Sequence, residues 1–245
     1  MAGATGTLGR CVINALHNAG HSSVPLSRNL GVDLLGDHKL RNRLRGATAV
    51  IDASEIRSMS TKVSVEHFST VTRNLLVAGR AAGVTHHVGV SIIGAGFVNS
   101  NYYAGKAAQE RILRGQRDGW SLLRTTQFHE FAQQIAPQRG LGLITFAPKM
   151  RTRPIAAAEV AEELVVIAER GPSKTVRDLA GPYEERLSDM VQRYVALMDQ
   201  RGPVIEVALP GRLGRGMRDG SLLPVTGTRS GSQTYSEWLE LNAVL

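Results

Sequence analysis

Residues 1–10 read MAGATGTLGR, with glycines at positions 3, 6 and 9. This spacing is that of a turn leading into a helix. Gly3 permits the tight bend, Gly6 lets a phosphate group approach the backbone, and Gly9 lets the helix lie close on a sheet. The free N–H groups and positive dipole end of the helix then favour an anion. A buried strand of about 5–6 residues normally feeds such a turn. Only Met1 and Ala2 precede it here. Each buried aliphatic side chain is worth about 1.5–3 kcal/mol, against about 5–15 kcal/mol for a whole domain. The expectation is therefore a first strand missing or truncated, with the true start upstream of Met1.

Outward from the turn, strand and helix patterns alternate. Leu8, Val12, Ala15 and Leu16 recur at helical spacing up to Gly20. SVPLS (23–27) is a short strand interrupted by Pro25, and DHKLRNRLRG (37–46) a short charged helix. ATAVIDAS (47–54) suits a strand buried on both faces. A long helix follows over 63–83, with Val65, Phe68, Val71, Leu75 and Leu76 on one side. HHVGVSI (86–92) is a strand, 102–116 a helix, and WSLLRT (120–125) a strand. Further helices are expected over 156–170 and 187–198, with the strand TVRDLAG (175–181) between them. This alternation predicts a doubly wound parallel α/β sheet, Rossmann-like, with a small C-terminal lobe. The core spans about 1–150 plus 174–182, and the lobe, loop-rich beyond 198, about 183–245. All 245 residues are read as a single domain.

The formal net charge is +8, and it is unevenly placed. Residues 1–125 hold 15 Lys and Arg against 7 Asp and Glu, while 126–245 hold 14 of each. The excess sits in the half with the glycine turn and favours an anionic ligand, or else is a solvated basic surface. No Cys/His finger or aromatic-interleaved basic run suggests nucleic acid. No apolar run has the ~18 residues of a membrane span, and no leader pattern is seen. The single cysteine, Cys11, excludes an internal disulfide and a Cys-rich zinc site, and the protein is read as cytoplasmic. His86-His87 has no third ligand nearby and reads as structural, so no metal is expected. His129-Glu130 reads either as structural or as lining a pocket.

Two further features carry chemistry. At the end of the second strand, Ser27-Arg28 offers a guanidinium and no carboxylate, which suits a ribose 2′-phosphate and so NADP over NAD. In SNYYAGKAAQE (100–110), Tyr102 and Lys106 share a helix face. A nearby ammonium would lower the phenol's pKa and make it a usable general acid. Ser91, at the end of the preceding strand, could donate to a substrate oxygen. The pair is also common in ordinary helices.

Taken together, AGATGTLGR, the 63–94 segment, YYAGKAAQERILRGQRDGWSLLRTTQFHEFA, LAGPYEERLSDMV and the closing TYSEWL resemble the NmrA-like atypical short-chain dehydrogenase/reductases. The resemblance implies an NAD(P)-binding protein in which Gly3, Thr5, Gly6, Thr7 and Leu8 wrap the pyrophosphate. It places Ser27 and Arg28 on the 2′-phosphate, Ala53 and Ser54 along the cofactor, Lys106 at the nicotinamide ribose, and Thr126, Gln127 and Phe128 beside the nicotinamide. The acidic residue that often contacts adenine after the third strand has no clear match; Asp33 and Asp37 are both candidates, and neither is assigned. Tyr102, Lys106 and Ser91 are then the catalytic candidates. The implied function is an NADP(H)-dependent oxidoreductase passing hydride to a small carbonyl, quinone or similar acceptor. The alternative is a non-catalytic NADP(H) sensor acting through a protein partner. A sugar-nucleotide epimerase or dehydratase is a third reading, weakened because no residues for a nucleotide diphosphate are placed in the lobe.

Overall fold

Ala2 sits between two strand-like segments, bridging Leu26 on one side and Asp52 on the other, both in parallel sense. The backbone N–H groups of Ala2 and Ala53 close the pairing on the Asp52 side, donating to Ile51 and Ala2 carbonyls at 2.9 and 3.1 Å. Leu26 donates to Met1 and Gly3 donates back to Leu26, at 2.8 and 3.0 Å. The Met1 ammonium donates to Val24 at 2.9 Å. The slot expected to lack its strand is thus held by Met1 and Ala2. Both are buried. Pro25 keeps the 23–27 segment to this single bridge in place of the strand expected.

The computed structural model describes residues 1–36, 40–136, 144–198 and 202–242. In chain order the elements are α1 (Thr7–Asn18), α2 (Leu40–Arg43), β1 (Ala49–Asp52), α3 (Thr61–Ala82), β2 (His86–Ile92), α4 (Ala95–Val98), α5 (Asn101–Arg114) and β3 (Trp120–Thr125). They continue with α6 (Phe131–Ile135), β4 (Thr145–Pro148), β5 (Arg151–Thr152), α7 (Ala157–Arg170), β6 (Val176–Ala180), β7 (Glu185–Arg186) and α8 (Leu187–Leu197). The last are β8 (Val204–Val207), α9 (Gly211–Asp219), β9 (Arg229–Ser230) and α10 (Tyr235–Asn242). Among the described residues the main sheet has the order β1-β2-β3-β6-β9. The fold is α/β and Rossmann-like. The chain divides into two compact units, one of residues 1–124 and 158–177, the other of 125–157 and 178–245.

In the first unit every residue of β2 is buried, including the polar His86, His87 and Ser91. Two glycines bring helices close to their supports. A β-carbon on Gly89 would meet the Leu113 side chain at 2.3 Å, and one on Gly105 would meet Phe68 and the Ser64 backbone at 2.5 and 2.7 Å. Trp120 is buried in a cluster with Leu113 and Leu122.

The second unit has its own short sheets, β4 paired with β8 and β5 with β7. The region beyond 202, expected to be loop-rich, contains α9 and α10. Gly214 and Gly216 lie inside α9, where glycine normally weakens a helix by about 1 kcal/mol. Here a β-carbon on Gly214 would stand 1.8 Å from the Leu209 carbonyl oxygen, so close packing requires glycine. At α10, Thr234 and Glu237 form a reciprocal capping box, with Thr234 N–H donating to the carboxylate at 2.7 Å and Glu237 N–H to the Thr234 hydroxyl at 3.2 Å. Trp238 is buried and stacks on Tyr235.

Candidate functional site

The chain runs from Ala2 to Leu26 on one side, then crosses to β1 on the other, so Ala2 and β1 flank a reversal in strand order. Ligands of doubly wound sheets bind just beyond the strand ends at such a reversal. The residues there are Gly3 and Ala53-Ser54. Gly3 has φ +75°, and a β-carbon on it would lie 2.3 Å from the Ala53 carbonyl oxygen. A β-carbon on Gly9 would lie 2.0 Å from the Gly3 carbonyl oxygen. Both obstacles are backbone, so neither site accepts a side chain. Gly6 is the N-cap of α1 and supplies no side-chain cap, and the first turn holds no acidic residue. The helix terminus is therefore polarised toward an anion.

A cavity of about 250 Å³ opens at this point, lined by Gly3, Thr5, Gly6, Ser27, Arg28 and Asn29, by residues 32–35 and 53–55, and by His67. Most of the predicted pyrophosphate and 2′-phosphate residues line it; Thr7 and Leu8 begin α1 directly after the turn. Of the two adenine candidates, Asp33 lines the cavity and Asp37 lies outside the described residues. His67 was not singled out in the sequence, where it reads as part of the polar face of α3.

The fit of this cavity to a polar ligand is shown by three buried atoms that lack a hydrogen-bond partner, Ser27 Oγ, Ser54 Oγ and His67 Nε2. All three residues line the cavity. Buried polar atoms almost always find partners, so three orphans on one cavity mark groups that a ligand satisfies. With Arg28 and the bare helix terminus beside them, the donor set suits phosphates and ribose hydroxyls.

The catalytic candidates belong to a buried polar network behind this cavity. Lys106 Nζ donates to the Val90 carbonyl at 2.9 Å and to Gln109 Oε1 at 3.0 Å. Gln109 Nε2 donates to Asp52 Oδ2 at 2.9 Å, and Asp52 Oδ1 accepts the Ser54 N–H at 3.0 Å. The ammonium also lies 4.2 Å from the centre of the Phe68 ring and 5.9 Å from that of Tyr102. Burial brings the Lys106 pKa down to about 8, with Asp52, Glu55 and Glu110 working against it.

Tyr102 packs edge-on to Phe68 at 5.5 Å, so α5 brings Tyr102 and Lys106 to one face as expected. The expected tuning is corrected, however. Burial pushes the Tyr102 phenol well above its ordinary pKa, and Glu55, Tyr103 and Asp52 add to the rise. Ser91 is also placed differently from the expectation. It is buried and donates its hydroxyl proton to Glu110 Oε1 at 2.6 Å, where Arg124 Nε and Nη2 also donate to Glu110, at 2.9 and 2.5 Å. Its hydroxyl is committed to a carboxylate and not offered to an acceptor.

Thr126 and Phe128 belong to the second unit. Thr126 donates to the Arg153 carbonyl, and Phe128 forms a parallel bridge with Ile155. His129 is fully buried against Tyr235 and Trp238, with ring centres 5.6 and 5.9 Å away. His86 pairs with Ser121 Oγ at 2.8 Å, and burial lowers the His87 pKa to about 4. Among the described residues no three His, Cys, Asp or Glu side chains are grouped to hold a metal ion. No helix there is long and apolar enough to cross a membrane.

A backbone-tight glycine turn, a reversal in strand order and an unsatisfied polar cavity between them define a dinucleotide-binding Rossmann-like protein. The chain belongs to the NAD(P)H-binding family, whose model matches residues 3–170. No curated protein sequence matches it. By fold it is similar to an NADPH-dependent quinone oxidoreductase from Escherichia coli solved with NADPH, with TM-score 0.73, 19% identity and 98% of each chain covered. It is also similar to a short-chain dehydrogenase/reductase superfamily protein from Agrobacterium tumefaciens with bound NAD, with TM-score 0.69, 17% identity, and 99% of this chain and 95% of the other covered. A nucleoside-diphosphate-sugar epimerase from Staphylococcus aureus matches with TM-score 0.72, 14% identity and 98% of each chain covered.

Proposed function

We propose that this protein is an NADP(H)-dependent oxidoreductase that reduces a small carbonyl, quinone or similar acceptor. The observation that carries the reading is the set of unpartnered Ser27, Ser54 and His67 atoms on a cavity that also holds Arg28. Gly3, Thr5, Gly6, Thr7 and Leu8 would hold the pyrophosphate, and Ser27 and Arg28 the 2′-phosphate. Ala53 and Ser54 would lie along the cofactor, and Thr126 and Phe128 would border the nicotinamide. When bound, the nicotinamide supplies a hydride.

This chain's own residues supply the proton and the field. In this reading Tyr102 would donate the proton to an acceptor oxygen, against the raised pKa that burial gives its phenol and that makes it a weaker acid. Lys106, with a pKa of about 8, is mostly charged at neutral pH and provides a fixed positive charge beneath the Phe68 and Tyr102 rings. The similarity to an NADPH-dependent quinone oxidoreductase supports quinones as the first acceptors to try.

A second reading is a non-catalytic NADP(H) sensor. It is favoured by the bonds that occupy Ser91, which donates to Glu110, and Lys106, which donates to Val90 and Gln109. The test is titration with NADPH and NADH, followed by a turnover screen over quinones and aldehydes. Binding together with turnover of one acceptor class supports the oxidoreductase. Tight binding with no turnover on any acceptor supports the sensor, and no binding of either cofactor overturns both.

A further inference from the structure

Of the three orphaned atoms on the cavity, the two serine hydroxyls sit at strand ends, where a dinucleotide fold presents polar groups. His67 belongs to no such motif. It lies mid-way along α3, edge-on to Phe68 with ring centres 5.3 Å apart, and its Nε2 is buried without a partner. It lines the same cavity as Arg28, Ser27 and the glycine turn. We propose that His67 binds a phosphate oxygen of the dinucleotide and takes up a proton as it does so. The inference rests on the NAD(P)H reading and adds to it a binding residue and a pH dependence.

The charges facing His67 set the direction. Burial is the main cause that lowers its pKa; Asp52 at the end of β1 opposes this, Lys106 from α5 and Arg28 reinforce it, and Asp33 opposes it. Glu55 also lines the cavity. Before a ligand adds its charge the imidazole therefore favours its neutral form. A phosphate beside Nε2 adds both negative charge and an acceptor, and each favours imidazolium. The pKa rises on binding, so protons are taken up between the free and bound values. Affinity must then strengthen as pH falls through that interval. Two other groups titrate nearby, the Met1 amine at about 6 and Lys106 at about 8, and substitution of His67 separates its contribution from theirs.

The experiment is calorimetric titration of NADPH and of NADH into the whole protein at pH ~6.5, in two buffers of different ionisation enthalpy, with His67→Asn alongside. The wild type is expected to show proton uptake that the variant loses. The variant's affinity should fall by about tenfold at pH ~6 and by less at pH ~8. Uptake lost with both cofactors places His67 at the pyrophosphate; uptake lost with NADPH alone places it at the 2′-phosphate. Should His67→Asn fail to fold, His67→Gln makes the same comparison, with the wild type measured beside it in both buffers. Binding without proton uptake, or uptake undiminished in the variant, overturns the proposal and leaves the NAD(P)H reading intact. Absence of binding by either cofactor overturns that reading itself.

Discussion

Gln109 donates its Nε2–H to Asp52 Oδ2 over 2.9 Å at a depth where neither residue meets solvent. Because the Oε1 of the same amide accepts from Lys106, one neutral side chain joins a buried cation to a buried anion. Gln109→Leu leaves both ends without that partner and should cost about 3–5 kcal/mol, read from denaturant unfolding. A loss below about 1 kcal/mol would show that the bridge carries little.

Lys106 makes stability depend on alkaline pH. Its folded pKa of about 8 lies below the ordinary 10.5, so between these values the unfolded chain binds more protons than the folded one. Stability should therefore rise with pH across that window, by about 3 kcal/mol in all at about 1.4 kcal/mol per unit. The contribution is isolated by comparing the wild type with Lys106→Met, whose own curve should lack this rise. Parallel curves for the two proteins would rule it out.

The bond from Ser91 to Glu110 separates a structural role from a chemical one. Ser91→Ala should destabilise the fold by about 1.5–3 kcal/mol, the usual range for a hydrogen bond to a charged group, and leave kcat for any accepted substrate nearly unchanged. Lost turnover at unchanged stability would return Ser91 to the acceptor.

For Tyr102 the reverse is expected. Tyr102→Phe should lower turnover by about 10²–10⁴-fold with NADPH binding retained, while Tyr103→Phe should do little. Equal losses from both would mean that the proton comes from elsewhere.

Arg28→Ala should weaken NADPH by about 1.5–3 kcal/mol and NADH far less, measured by titration of both cofactors. Equal losses would place the guanidinium away from the 2′-phosphate.

What was legible in the sequence follows from how local each signal is. The strands over 86–92 and 120–125 match their predicted limits, each a short buried stretch that begins shortly after a glycine, Gly83 or Gly119. The glycine turn was legible because the approach of Gly9 to the Gly3 carbonyl is set within a few residues, whereas the fit of Gly3 against the Ala53 backbone was not. α9 was not, because Gly214 is set by the Leu209 backbone, a packing contact that no periodicity reveals. That Met1 and Ala2 pair with the Leu26 segment on one side and with β1 on the other was not legible either, because pairing is not written in the residues themselves. The Ser91–Glu110–Arg124 cluster likewise draws on β2, α5 and β3, and only the assembled sheet brings those three side chains together.

The two tryptophans have a use beyond their packing. Trp120 is buried in the first compact unit and Trp238 in the second, and the sequence holds no others. Replacing either with Phe leaves a single emitter that reports on one unit alone. Coincident fluorescence transitions in urea for the two single-tryptophan proteins would show one cooperative unfolding event, and separate midpoints would give each unit its own stability.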